Sequence, residues 1–112
     1  MKLTPNDIKV VGQLFKDKNN AGYVLDFTDK TMREFFESEF SIDIENELYC
    51  DDGGSKMKRL RCFVKKTERG IVLKVVVRLW EYRKTLIDHP ITAQDESIYV
   101  RLVLKIQGRI VR

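Results

Sequence analysis

Apolar residues recur at helical spacing in five stretches of the chain, and most of these stretches open on a residue able to cap a helix. Ile8, Val11, Leu14 and Phe15 mark the first. Thr4 stands as its cap, Pro5 suits the first helical position, Asp7 completes a capping-box-like pair, and Leu3 can staple Ile8. The predicted helix covers about 5–17, and Lys18-Asn19-Asn20-Ala21-Gly22 reads as its stop and turn. Tyr23-Val24-Leu25 forms a short apolar link, a candidate strand piece. Thr28 then caps a second helix that runs to about Phe40, with Phe27 stapling Met32 and Met32, Phe35, Phe36 and Phe40 on one face. Ser41-Ile42-Asp43-Ile44 reads as an extended connection that anchors its isoleucines in the core.

Asp51-Asp52-Gly53-Gly54 is the strongest breaker in the chain, and Ser55 after it caps a third helix over about 55–66. Met57, Leu60, Phe63 and Val64 share one arc of that helix, and Lys58, Arg59, Arg61, Lys65 and Lys66 the other. Ile71–Leu86 is rich in valine, which favours a strand. Its charges at Lys74, Arg78 and Glu81 nevertheless fall on one narrow helical stripe, so a central apolar helix is predicted there with a strand as the alternative. His89-Pro90 ends it. Thr92 and Asp95 then offer a capping box for a fifth helix over about 93–107, with Arg101, Lys105 and Arg109 as its polar stripe. The alternation of Val100, Leu102 and Leu104 leaves an edge strand over 98–104 as the other option. The expectation is a mainly α fold, a bundle of about five helices around 71–86.

At 112 residues with 43% hydrophobic content, the chain suits one domain with one core. It stops on Ile110, Val111 and Arg112 without a polar tail, so it is expected to be the amino-terminal module of a longer protein. No apolar run has the length of a membrane span and no signal peptide is evident, which predicts a cytoplasmic protein that does not bind membranes. Cys50 and Cys62, without a CxxC and beside a single histidine, indicate neither a zinc site nor a disulfide framework, and both thiols are expected reduced.

The net charge of +4 conceals a segregation along the chain. Residues 17–52 hold eleven acids against three bases, and residues 55–84 hold eleven bases against two acids. Lys56, Lys58, Arg59, Arg61, Lys65, Lys66 and Arg69 make the basic stretch the leading functional candidate, since cations along one helix suit the regular charge of a nucleic-acid backbone. DNA or RNA is one expected partner. An acidic protein, an acidic face of the same molecule, or a second copy is the other. No base-reading motif is present, so nucleic-acid binding would be largely independent of sequence.

Catalytic and cofactor signals are sparse. The lone His89 sits in a turn and reads as a helix-ending residue rather than a base. Glu34, Glu37, Glu39, Asp43, Glu45 and Glu47 follow no metal-ligand pattern and read as a solvated acidic face. Gly53-Gly54-Ser55-Lys56 lacks the spacing of a phosphate loop, although the free amides opening helix three, beside Lys56 and Arg59, could take one phosphate or carboxylate. Cys62 falls near Lys58, Arg59 and Lys66, where positive charge would favour its thiolate, against a plain reading as a small partly buried filler. No enzyme, cofactor or metal is expected.

The run Phe27-Thr28 to Phe36, the run Gly54-Ser55-Lys56-Met57-Lys58-Arg59-Leu60-Arg61-Cys62-Phe63, and the apolar helix ending Leu79-Trp80-Glu81-Tyr82 together resemble the amino-terminal helical module of bacterial abortive-infection-type proteins. The resemblance covers about residues 8–84. It implies a recognition or assembly module preceding a separate effector domain in an antiphage defence protein, without catalytic residues to carry over. The chain departs from that pattern in its denser basic charge and in the segment after Ile91.

Overall fold

A computed structural model describes residues 3–108. Each expected cap is in use. The Thr4 hydroxyl accepts from the Asp7 amide at 3.2 Å, and the Asp7 carboxylate accepts from the Thr4 amide at 3.2 Å, starting α1 (Pro5–Phe15). Thr28 and Thr31 exchange the same pair of bonds to open α2 (Asp29–Phe40), which closes on Ser41 in the left-handed conformation. Ser55 accepts from the Lys58 amide at 3.2 Å to start α3 (Lys56–Lys66). Thr92 and Asp95 form the capping box of α5 (Ala93–Ile106). Only α4 (Arg69–Lys84) begins without a side-chain cap, at Glu68.

The valine-rich segment is helical, not a strand. Burial explains it: Val72, Val75, Val76, Leu79 and Trp80 are each almost fully enclosed, and tertiary packing outweighs a weak intrinsic preference. Residues 98–104 are likewise helical throughout, so the edge-strand option is not adopted. Leu102 and Ile106 enter the core while Tyr99 stacks on Trp80 with ring centroids 4.1 Å apart, a pattern of three and four that only a helix gives.

The chain departs from expectation at the end of α1. The helix stops at Phe15 rather than 17, and β1 (Lys16–Asp17) pairs antiparallel with β2 (Asn20–Val24), Lys16 opposite Val24. The stretch 18–22 therefore holds half a strand as well as a turn, and the strand piece expected over 23–25 starts earlier. The Phe15 carbonyl, left open by the helix end, accepts from the Leu25 amide at 2.8 Å. The Asp17 carboxylate accepts from the Asn19 amide at 3.1 Å and tightens the turn.

After α2 the acidic segment runs along α3, with Ile44 buried, Ile42 half-buried and one 3-10 turn at Glu47–Tyr49. The five α-helices among the described residues enclose a core in which Phe36 meets Phe63 edge-on at 5.7 Å and Phe27 stacks on Tyr82 at 4.8 Å. No helix among these residues is long and apolar enough to cross a membrane. Arg109 of the expected polar stripe and the Ile110–Val111 end lie outside the described residues.

Candidate nucleic-acid interface

Positions along α3 decide which cations face solvent. At 100° per residue, Lys58, Arg61 and Lys65 share an arc of about 60°, while Lys66 and Arg59 stand about 80° and 100° beyond Lys58 toward the 43–52 segment. Lys56 sits at the edge of the apolar arc.

The continuous five-cation ridge expected from the sequence is not what the fold presents. Lys56 is 8% exposed, with its ammonium 3.8 Å above the Tyr23 ring centroid and 3.7 Å from the Asp29 carboxylate. Arg59 reaches Asp29 and Glu45, each at 3.9 Å, and its Nε is buried without a hydrogen-bond partner among the described residues. Lys66 pairs with Asp51 at 2.6 Å and donates to the Leu48 carbonyl at 2.7 Å. The bond between them holds the Lys66 ammonium above its ordinary range and the Asp51 carboxyl below it. Lys65 makes a more exposed pair with Asp52 at 3.2 Å. The acidic and basic blocks of the sequence thus lie against each other along one flank of α3. Glu34 and Glu37, also candidates for such pairing, take no part among the described residues.

Three of the seven predicted cations make no ion pair among the described residues: Lys58, Arg61 and Arg69. Arg69 leans toward Gly108 at the end of α5, away from the others. Lys58 is exposed, and its stem passes close over Gly53, whose φ of +131° only glycine adopts readily. Arg61 is half-buried because its aliphatic stem lies across α1 at Gly12, where the missing side chain leaves a shallow seat. Lys9 stands one turn before Gly12 on α1 and is exposed, a cation outside the basic stretch of 55–84. A lone glycine inside a helix pattern, three residues after a lysine, is the signal that could have found it.

No protein-family model, curated protein or solved structure matches this chain.

The other candidates resolve on burial and bonding. Cys62 is fully buried under the loop, its thiol 3.5 Å from the Leu48 carbonyl, so it lies outside the exposed cationic arc and packs as a filler. Cys50 is an exposed free thiol. His89 is 8% exposed and donates from Nε2 to Asp17 at 2.8 Å, the tautomer that a carboxylate acceptor demands, and its Nδ1 is buried without a partner among the described residues. It ties the loop after α4 to the hairpin. No three His, Cys, Asp or Glu side chains among the described residues gather as a metal site.

Proposed function

We propose that this domain is a non-catalytic binding module that holds the phosphate backbone of DNA or RNA, without reading its sequence, on the solvent side of α3, and that it serves as the recognition part of a bacterial defence-type protein. One observation carries the binding reading. Lys58 and Arg61, one helical turn apart on the exposed arc, have no carboxylate partner among the described residues, while four neighbouring cations do. Lys65, whose partner Asp52 is exposed, can exchange that weak pair for a phosphate. Lys9 extends the group onto a second helix. The defence-type reading rests on the resemblance carried by residues 27–36, 54–63 and the helix that ends on 79–82.

A cluster of this size makes three or four phosphate contacts, which implies a logarithmic salt slope of about −3 on duplex DNA. Fluorescence anisotropy with labelled duplex and single-stranded DNA and RNA at two salt concentrations measures it. The triple variant Lys9→Glu, Lys58→Glu, Arg61→Glu is expected to abolish binding while the far-UV spectrum stays unchanged. Full affinity in that variant would falsify the proposal.

A further inference from the structure

The outward face of α5 carries an open trough lined by small and apolar side chains. The inward positions, Leu102, Ile106 and Tyr99, pack on the domain. On the opposite side stand Ala93, Ser97, Val100 and Leu104, spaced by four, three and four residues, which is the seam of a coiled coil. Val100 is 51% exposed, and the recess left by Ala93 and Ser97 between larger side chains forms an open trough along the helix. Ala93, Ser97 and Val100 are exposed and Leu104 is half-buried, with α1 and α4 packed on the other side of α5.

The charges that flank the seam identify the partner. Glu96 and Arg101 are both exposed, and neither makes an ion pair among the described residues. Five residues apart, they stand about 140° from each other around the helix, on opposite flanks of the seam, so they cannot meet on one copy. In a parallel pair of helices, however, the residue preceding one seam position faces the residue five further along the other helix. Glu96 of one copy then meets Arg101 of the other, and the two-fold axis makes the same pair twice. In an antiparallel pair the flank that carries Glu96 meets the same flank of the other copy, and Glu96 and Arg101 do not come together. We infer that two copies of this domain associate in parallel through α5, with Ala93, Ser97, Val100 and Leu104 meeting their own counterparts across the axis. The surface is separate from the cationic arc of α3, so its failure leaves the phosphate-binding reading standing.

Two heptads make a small interface, so pairing is expected at protein concentrations above about 10 µM. Sedimentation equilibrium on the whole chain across concentration is expected to show the mass doubling. Val100→Glu, on an exposed position that the core does not use, is expected to keep the fold and leave a monomer. Glu96→Arg or Arg101→Glu alone is expected to weaken association about tenfold, and the swap carrying both to restore it. Orientation is read by Ser97→Cys in a Cys50→Ser background, where parallel pairing brings the two thiols together and oxidation gives a disulfide-linked dimer. A chain that stays monomeric at every concentration, a swap that fails to restore pairing, or an absent cross-link overturns the inference.

Discussion

Arg61 lies across the bare backbone of Gly12, its Cδ and Nη1 each 3.7 Å from where a Cβ on that glycine would stand. Met57 Sδ is also 3.7 Å from that point. These are ordinary packing distances, so a methyl fits without moving its neighbours, and alanine has the higher helix propensity. Gly12→Ala is therefore expected to stabilise the domain by about 0.5–1 kcal/mol, read as a higher urea midpoint at unchanged slope. Nucleic-acid affinity should stay the same because Arg61 keeps its place. Gly12→Leu, by contrast, must displace Arg61 and Met57, and is expected to lower both stability and affinity.

The fold was largely legible because its helix starts use local chemistry. Thr4 with Asp7, Thr28, Ser55, and Thr92 with Asp95 all announce themselves within four residues. The hairpin after Phe15 was not, because Lys16 and Asp17 continue the polar pattern of a helix end and their pairing with β2 depends on the Leu25 amide capturing the Phe15 carbonyl. The basic stretch was legible as charge and misleading as surface. Helical spacing separates the Lys58, Arg61 and Lys65 arc from Arg59 and Lys66, but which flank the acidic segment covers depends on Ile44 anchoring in the core and on Leu48 offering its carbonyl to Lys66. Those interactions join distant parts of the chain, and no local pattern encodes them.

Arg83 is counted among the basic residues of the sequence, yet it works as a clamp. Its guanidinium donates to the carbonyls of Leu14 at 2.8 Å, Pro90 at 2.7 Å and His89 at 3.3 Å, and to the Asp95 carboxylate at 2.9 Å. It joins the end of α1, the loop after α4 and the start of α5. A lysine keeps the charge but has neither the planar fork nor enough donors for this geometry. Arg83→Lys is expected to cost about 2–4 kcal/mol in chemical denaturation, because the side chain is only 11% exposed and the carbonyls of Leu14 and His89, both buried residues, lose a donor.

Tyr82 should make stability sensitive to alkali. Burial, then the hydrogen bond its hydroxyl donates to Asp26 at 2.6 Å, pushes its pKa up to about 12. The folded state thus holds this proton more tightly than the unfolded chain, in which tyrosine ionises near 10. The contribution is complete below about pH 10 and is lost as pH rises toward 12. Tyr82→Phe is expected to flatten the alkaline limb of the stability profile, and ultraviolet titration at the phenolate band should show one tyrosine fewer ionising late.

Asp7 sets the opposite limb. Burial pushes its carboxyl up, but bonds from the Lys105 ammonium and from Thr4 together outweigh that and leave it below the usual carboxylate range. Its contribution is present above the unfolded carboxylate pKa and is lost as pH falls through the lower folded value. Asp7→Asn keeps an acceptor for Thr4 but strands the partly covered Lys105. A loss of about 1–2 kcal/mol at neutral pH, shrinking toward zero in acid, is the expected result of denaturation across pH.

Lys56 tests the division between structural and surface cations. Its side chain is 9% exposed, its ammonium sits over Tyr23, and the carboxylate of Asp29 stands 3.7 Å away, so the cation is already satisfied inside the molecule. Methionine has a similar length and replaces a largely desolvated charge with an apolar chain, an exchange that commonly leaves stability unchanged. Removing the ammonium from above the Tyr23 ring costs about 1–2 kcal/mol at most, and the desolvation relieved is of similar size. Lys56→Met is therefore expected to shift stability by less than about 1 kcal/mol and to leave nucleic-acid affinity and salt slope intact. Lys58→Met, at an exposed position two residues on, should leave stability equally unchanged yet reduce the salt slope by about one. Equal reductions of affinity in the two variants would show that the buried and exposed lysines act on the ligand together, and the assignment of the binding face to the exposed arc would fail.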